Sequence, residues 1–320
     1  MRLIFYGSGA FGLPTLAALH EAHDLALVIT QPDRPAGRRR HLAPTPAGQW
    51  AQEAGLDVLK PERVNDPAVA AAVQAARAEA QVVVAFGQKI GDHLIAAPSL
   101  GAVATVNLHG SLLPAYRGAA PVNWALVGGE SVTGNTVFSL VEEMDAGDIL
   151  GRQEVAIDTQ ETAGELHDRL ASSGPHLVLQ VLDDLEHGRA DPRPQDTVAI
   201  SYAPKLSRAD AWVDFSAPAD RVRQRVHGLT PWPGVSCTWS PAGGGEERTL
   251  LLRRVRDLPG LAHEQSPGSL IGDGLVAAGQ GAVQLLEVQP PGKRQMSWAE
   301  YAQGHRVGPE ASFKSSQAKP

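Results

Sequence analysis

The feature that most constrains the fold is a set of short apolar runs set between helix-like segments. Residues 3–6 (LIFY), 25–30 (LALVIT), 82–86 (VVVAF) and 102–109 (AVATVNLH) are too short for buried helices, and the first three are almost continuously apolar. They read as strands buried on both faces. Between and after them, residues 14–22, 123–127 and 162–187 have helical character. So does the Ala-rich stretch from Asp66, which places Asp at the N-cap and Pro67 at the first helical position. Residues 135–143 and 149–157 read as a further strand pair. Strands alternating with helices predict a doubly wound α/β domain around a parallel sheet covered on both faces.

The pattern then changes. Residues 188–210 contain three prolines and little periodicity, which reads as a linker. Beyond it, SAPADRVRQRVHGL predicts one helix with Ser216 at its N-cap, and LLLRRV, GSLIG, GLVAAG and GAVQLLEV predict short strands. Short strands between Gly-rich turns predict a small β-barrel, and the polar tail GPEASFKSSQAKP is expected to fray. A chain of 320 residues is long enough for two cores. The expected division is a catalytic domain over 1–188, a linker over 189–208 and a β-barrel domain over 209–320.

Several classes are disfavoured. Cys237 is the single cysteine, so no intrachain disulfide forms, and the N-terminal run is broken by glycines and Pro14 before it could act as a secretion signal. No stretch is long and apolar enough for a membrane span. The expected location is the cytoplasm. No HExxH, paired CxxC or GxxxxGK[ST] pattern is present, and no metal is expected. The net charge of −7 is uneven: residues 201–320 carry 14 Lys/Arg against 11 Asp/Glu, the remainder 14 against 24. A more basic second half is compatible with an anionic partner and equally with drift in surface charge.

The first strand runs into Gly7-Ser8-Gly9-Ala10-Phe11-Gly12, which fits the GxGxxG fingerprint of dinucleotide sites. That fingerprint also wants an acid at the end of the next strand for the ribose. Gln31 stands there, Asp33 comes after Pro32, and Pro14 enters the first helical turn. A tight strand-to-helix turn explains the glycines equally well, so an oxidoreductase is a rival reading and no bound pyrophosphate is expected.

The chemistry concentrates in VNLHGSLLPAYRGAAPVNWAL (106–126). Asn107 and His109, two apart at the end of a strand, share a face and project beyond the strand's carboxyl end, where α/β sheets bind ligands. An amide there can donate to an oxyanion, and an imidazole can move a proton near neutral pH. Asp145, in LVEEMDAGDI, could orient the imidazole or accept its proton. Taken singly, His109 reads as well as a structural histidine and Asp145 as a turn aspartate.

Together, in this order and with HGSLLPAYRGAAP between them, these residues resemble the Asn-His-Asp pattern of the folate-dependent formyltransferases. The similarity extends along nearly the whole chain and is strongest to the tRNA-directed members, through TQPDRPAGRRRHLAPTPAG, VVVAFGQKI, YAPKLSRADAWVDFS, LTPWPG and LLEVQPPGKRQMSWAEYAQGH. The chain departs from the family at the opening loop, GSGAFGLP in place of GTPDFAVP, and in the insert PAGGGEE.

The resemblance implies a Rossmann-like formyltransferase domain followed by a small OB-like β-barrel domain. It implies 10-formyltetrahydrofolate as formyl donor and initiator methionyl-tRNA as acceptor, giving formylmethionyl-tRNA for translation initiation, by a monomer. Asn107, His109 and Asp145 are the implied catalytic residues. Phe86, Gln88, Ile90, Ser111, Leu112, Leu113, Pro114, Val141 and Glu142 are the implied folate contacts. In the stretch that resembles the basic insertion loop, Arg34, Arg38, Arg39 and Arg40 read either as a solvated basic turn or as a clamp on acceptor-stem phosphates, and the clamp is preferred because charge of one sign is costly to gather in an otherwise acidic domain. Lys205, Arg208, Arg221, Arg223, Arg225, Lys293 and Arg294 are candidates for further phosphate contacts on the tRNA. Arg221 and Arg225 stand one helical turn apart with Val222 and Val226 turned to the core, and a merely solvated helix face reads almost equally well. Rivals are a formyltransferase acting on an amino sugar or a purine precursor, and a non-catalytic RNA-binding protein.

Overall fold

The computed structural model describes residues 1–36, 41–95, 104–241 and 246–316. The chain forms two compact units, Met1–Pro121 with Val132–Ala156 and His167–Ala203, and Val122–Ser131 with Ile157–Leu166 and Pro204–Pro320.

The first half runs β1 (Arg2–Gly7), α1 (Leu13–Ala22), β2 (Asp24–Ile29), β3 (Arg34–Ala36), β4 (His41–Ala43), α2 (Pro46–Glu53), β5 (Val58–Leu59), α3 (Pro67–Ala76), β6 (Ala80–Val84) and β7 (Ala104–His109). It continues through β8 (Arg117–Gly118), α4 (Pro121–Gly128), β9 (Val132–Ser139), β10 (Ile149–Ala156), α5 (Ala163–Glu186) and β11 (Tyr202–Ala203). The central sheet has the order β10-β9-β7-β6-β1-β2-β5. The strands from β7 to β5 are parallel, whereas β9 and β10 run antiparallel to their neighbours. The sheet is thus mixed where a parallel one was expected. The 140–148 connection is shorter than the dozen or so residues a parallel crossover needs, so it returns as a hairpin.

Register assigns the faces. Tyr6, Val83 and Asn107 lie side by side across β1, β6 and β7. Tyr6 and Val83 pack with Val69 and Val73 of α3, so Asn107 and His109 belong to the α3 face. Leu108 points the other way, toward α5, where a Cβ on Gly174 would lie 2.6 Å from it. Helix α3 begins after Asp66 with Pro67 in its first turn, as the sequence predicts, although the Asp66 side chain makes no cap hydrogen bond. The helix stops at Ala76, earlier than its Ala-rich composition suggests. Arg77 is left-handed (φ 50°), and Ala80 already pairs with Leu3 in the sheet.

The second unit holds α6 (Ala219–Gly228), β12 (Val235–Ser240), β13 (Arg248–Leu258), β14 (Leu275–Ala277), β15 (Ala282–Gln289), β16 (Met296–Ser297), α7 (Trp298–His305) and β17 (Ser312–Ser315). Its antiparallel sheet has the order β14-β15-β13-β12-β17, with β16 on β15, and curls into a half-barrel. GSLIG is not a regular strand. Ser269 bridges to Ser312 of β17 and Leu270 to Val276 of β14, so this segment joins the two edges of the sheet. Ser216 is not the N-cap of α6. Pro218 is, because a proline disfavours helical backbone in the residue before it and the helix cannot begin earlier. The tail is not frayed through residue 315: Phe313 is buried against Phe215 and Trp298, and β17 pairs with β12.

Candidate active site

The carboxyl ends of β1, β2 and β6 open into a cleft of about 440 Å³ lined by residues that include Ser8, Gly9, Gln31, Pro35, Pro44 and Phe86. The glycine loop forms part of its floor, but its end glycines serve packing. A Cβ at Gly7 would lie 2.9 Å from the Val84 carbonyl oxygen, and one at Gly12 3.3 Å from the same atom. The acid of a dinucleotide site is missing. Gln31 donates its amide to the Phe86 carbonyl (2.9 Å), and Asp33 is paired with Lys60 (2.7 Å).

At the end of β7 the structure brings His109 and Asp145 together. His109 Nε2 lies 2.9 Å from the Tyr116 carbonyl oxygen, and Nδ1 lies 3.8 Å from Asp145 Oδ2. Both side chains are largely enclosed, 8% and 13% exposed. A carbonyl only accepts, so Nε2 carries a hydrogen and Nδ1 is the nitrogen that faces the carboxylate. Asp145 Oδ2 also accepts from the Gly118 N–H at 2.7 Å. Gly118 has φ +126°, and a Cβ there would sit 2.6 Å from the Ala203 carbonyl oxygen, so only glycine presents its N–H in this way. Phe138 packs edge-on to the His109 ring, 6.4 Å between centroids. The Asn107 amide, half-buried on the same strand face, makes no hydrogen bond among the described residues and is free to donate. This arrangement can stabilise an oxyanion and move one proton. Cys237 cannot serve as a nucleophile: it is fully buried and its thiol is pushed up to about 12 by burial.

The implied folate contacts divide into two groups. The backbones of Gln88, Ile90, Val141 and Glu142 have no hydrogen-bond partner among the described residues, so they present free donors and acceptors. The two loops they belong to are joined by Lys89 and Glu142 (3.5 Å). The Gln88 side chain is occupied with Val64 N and Pro61 O, and the Phe86 carbonyl accepts from Ser8 and Gln31. The 111–114 segment is internally committed. Ser111 Oγ donates to the Ala115 carbonyl, and the carbonyls of Leu112 and Pro114 accept from Ala115 N and Ser201 N. Leu113 is fully buried, with its N–H on Thr136 and its carbonyl accepting from Arg152.

Of the basic residues, Arg34 is exposed and paired with Glu62 (2.7 Å). Arg38, Arg39 and Arg40 lie outside the described residues. Lys205, Arg208, Lys293 and Arg294 are exposed. The three arginines of α6 are structurally engaged. Arg221 donates to the Gly128 carbonyl, Arg223 pairs with Asp257 (2.8 Å), and Arg225 stacks 3.2 Å over Trp212 while donating to the carbonyls of Trp212 and Asp210. Burial pulls the Arg225 guanidinium down to about 10. Val222 and Val226 are buried as the helical spacing predicts.

Sequence reasoning missed the backbone partners of the pair, Tyr116 and Gly118, and the side chains behind them, Gln195 and Ser201. Tyr116 is left-handed (φ 63°), as is Asp145 (φ 51°), and a left-handed non-glycine leaves no mark in a single sequence.

Residues 1–182 match Formyl transferase, and residues 205–306 match Formyl transferase, C-terminal domain. The chain belongs to the formyl transferase family. Among relatives of this formyl transferase, the methionyl-tRNA formyltransferase of Thermobifida fusca is 40% identical over 98% of this chain and 99% of its own length. That of Heliobacterium modesticaldum is 40% identical over 98% and 100%. Solved structures share the fold at low identity. HypX from Aquifex aeolicus in complex with tetrahydrofolic acid aligns with a TM-score of 0.60 at 17% identity, over 96% of this chain and 48% of that one. The N-formyltransferase from Helicobacter canadensis, in complex with folinic acid and dTDP-3-aminofucose, aligns with a TM-score of 0.63 at 12% identity, over 91% and 98%. Members of the formyl transferase family use formyl-folate as donor. Among the described residues of this formyl transferase, no helix is long and apolar enough to cross a membrane, and no group of three or more His, Cys, Asp or Glu could hold a metal ion.

Proposed function

We propose that the protein transfers the formyl group of 10-formyltetrahydrofolate to the α-amino group of methionyl initiator tRNA, acting as a cytoplasmic monomer. The observation that carries this reading is the closure of Asp145 onto His109 at the end of the strand that also bears Asn107. The end-to-end likeness to methionyl-tRNA formyltransferases supports the choice of acceptor.

The amine nitrogen attacks the formyl carbon, and the tetrahedral oxyanion is met by the Asn107 amide and by protonated His109. The C–N10 bond breaks as the electron pair returns from oxygen, and the proton lost by the amine passes by way of the His109–Asp145 pair to N10. The 3.8 Å gap between Nδ1 and the carboxylate leaves room for an Nδ1–H shared with the formyl oxygen. The free backbone groups of Gln88, Ile90, Val141 and Glu142 suit the alternating donors and acceptors of a pterin edge. The cleft walls Pro32, Pro35, Ala43 and Pro44 are apolar and suit a methionyl side chain. Arg34 and Arg38–Arg40 would take acceptor-stem phosphates, the exposed Arg34–Glu62 pair being weak enough to exchange. Lys205, Arg208, Lys293 and Arg294 would extend that surface.

The test is incubation of the protein with charged initiator tRNA and 10-formyltetrahydrofolate, with formyl-methionine on the tRNA as the readout. Absence of transfer to tRNA, with transfer to a nucleotide-linked amino sugar, would overturn the acceptor. Absence of any formyl transfer, with binding of NAD or NADP, would overturn the reaction.

A further inference from the structure

The 188–203 stretch has almost no regular structure, yet it touches the supports of His109 and Asp145. Its two-residue strand β11 pairs with β8, register Tyr202 with Arg117 and Ala203 with Gly118. That pairing holds two side chains beside the site. The Gln195 amide nitrogen donates at 2.8 Å to two main-chain carbonyls, those of Asp145 and Gly147. Its amide oxygen accepts from Nε (3.1 Å) and Nη2 (2.8 Å) of Arg117, which is itself buried and also reaches Glu143 (3.2 Å). Every hydrogen-bonding group of this amide is therefore used, and two of its bonds fall on the loop that carries Asp145.

The second side chain is Ser201. Its Oγ accepts from the Tyr116 N–H at 2.9 Å, and the Tyr116 carbonyl is the partner of His109 Nε2 at 2.9 Å. The Ser201 main chain adds two more bonds, accepting from Arg117 N (2.9 Å) and donating to the Pro114 carbonyl (3.3 Å). Tyr116 and Asp145 are both left-handed non-glycine residues, a conformation that costs free energy and persists only where neighbours enforce it. Gln195 bonds to the main-chain carbonyl of Asp145, and Ser201 to the main-chain N–H of Tyr116.

We propose that Gln195 and Ser201 are positioning residues, Gln195 aiming the Asp145 carboxylate and Ser201 fixing the Tyr116 carbonyl that sets the orientation and tautomer of His109. The inference rests on the assignment of His109 and Asp145 as the reacting pair. The 188–203 segment is on this view part of the catalytic apparatus without touching substrate.

The experiment is steady-state formyl transfer by full-length Gln195→Leu, Gln195→Glu, Ser201→Ala and Ser201→Thr, with kcat expressed per folded enzyme. Leu keeps the approximate volume of Gln195 without its hydrogen bonds. Glu keeps the acceptors for Arg117 but turns an oxygen toward two carbonyls. For Gln195→Leu, Gln195→Glu and Ser201→Ala, kcat is expected to fall by about 10- to 100-fold, as for a reacting group displaced by roughly 1 Å. KM for both substrates is expected to stay within about twofold, because neither residue touches substrate. Ser201→Thr, which keeps the hydroxyl, is expected to restore most of kcat. A merely structural role would lower the melting temperature with kcat per folded enzyme unchanged, and that result overturns the proposal. If Gln195→Leu does not fold, Gln195→Glu and Ser201→Ala decide in the same way. His109→Asn run alongside separates the two levels of inference. Its retention of parental turnover would remove the assignment of the reacting pair. Its inactivity together with fully active Gln195 and Ser201 variants would remove only the positioning role.

Discussion

The main-chain carbonyl of Tyr116 accepts a hydrogen bond from His109 Nε2 at 2.9 Å, on the side of the ring away from Asp145. Because the acceptor is a carbonyl, this bond fixes a hydrogen on Nε2 in both charge states of the ring. Proton exchange is thereby confined to Nδ1, the nitrogen that faces the carboxylate. Asp145 Oδ2 accepts in turn from the Gly118 N–H, so each partner of the pair bonds directly to a main-chain group.

Loss of either donor should cost turnover. His109→Ala and Asn107→Ala are each expected to lower kcat by about 100- to 1,000-fold, the usual effect of removing one oxyanion donor. Single-turnover formylation of charged initiator tRNA measures this. Near-parental rates in either variant, with normal substrate binding, would remove that residue from the catalytic set.

Asp145→Asn separates charge from shape. The amide oxygen can still accept from Gly118 N, and asparagine is at ease in the left-handed conformation that residue 145 adopts (φ 51°). The melting temperature should stay close to the parent's while kcat falls by about 100-fold or more, as expected when a general base is neutralised. A variant that folds normally and turns over normally would show that the charge opposite Nδ1 is not needed.

The basic residues of the second unit should divide into two classes. Arg225→Ala removes a guanidinium stacked on Trp212 and bonded to two carbonyls, and is expected to destabilise the fold by about 2–4 kcal/mol in urea unfolding. Lys205, Arg208, Lys293 and Arg294 are exposed, so their replacement by alanine should leave stability unchanged. It should instead weaken tRNA binding and flatten its log–log salt dependence by about 0.7–0.9 for each phosphate that is no longer neutralised. An unchanged salt slope in all four would argue against the tRNA surface.

His227 should make the protein acid-sensitive. The ring is fully buried, accepts from the Val255 N–H through Nε2, and is held down to about 4 by burial and by the nearby Arg223 and Arg254. The unfolded chain binds a proton near pH 6.5 that the folded chain refuses until about pH 4. Stability is therefore complete above pH 6.5 and lost as pH falls between those values, by about 3 kcal/mol in total. In His227→Gln, whose side chain can keep an acceptor for Val255 N–H, that part of the pH dependence should disappear. Parallel stability curves for the two proteins between pH 7 and 4.5 would refute it.

The fold and the candidate site differ in how far they could be read. The apolar runs predicted the strands because burial on both faces demands continuous apolar sequence, and Asn107 and His109 were assigned to one face by the period of the strand alone. The 312–315 strand was hidden, since a single phenylalanine in a polar tail carries no periodic signal and Phe313 is recruited by Phe215, Trp298 and pairing with β12. The arginines of α6 looked like surface cations, and only packing showed Arg225 stacked on Trp212, Arg223 paired with Asp257 and Arg221 bonded to the Gly128 carbonyl.

The GxGxxG letters are a further case in which local sequence left two meanings open. Gln31 bonded to the Phe86 carbonyl and Asp33 bonded to Lys60 decide between them, because both side chains near the expected ribose position are already engaged. By itself the sequence determined the α/β alternation, the change of character after residue 188, and a set of residue types suited to proton transfer and oxyanion binding. Tertiary structure alone decided that Asp145 closes on His109, that Tyr116 and Gly118 orient them, and that Gln195 and Ser201 stand behind both. The bonds that support the pair join positions up to 85 residues apart and have a main-chain atom of Tyr116, Gly118, Asp145 or Gly147 at one end, a group that every residue carries and that leaves little trace in the sequence.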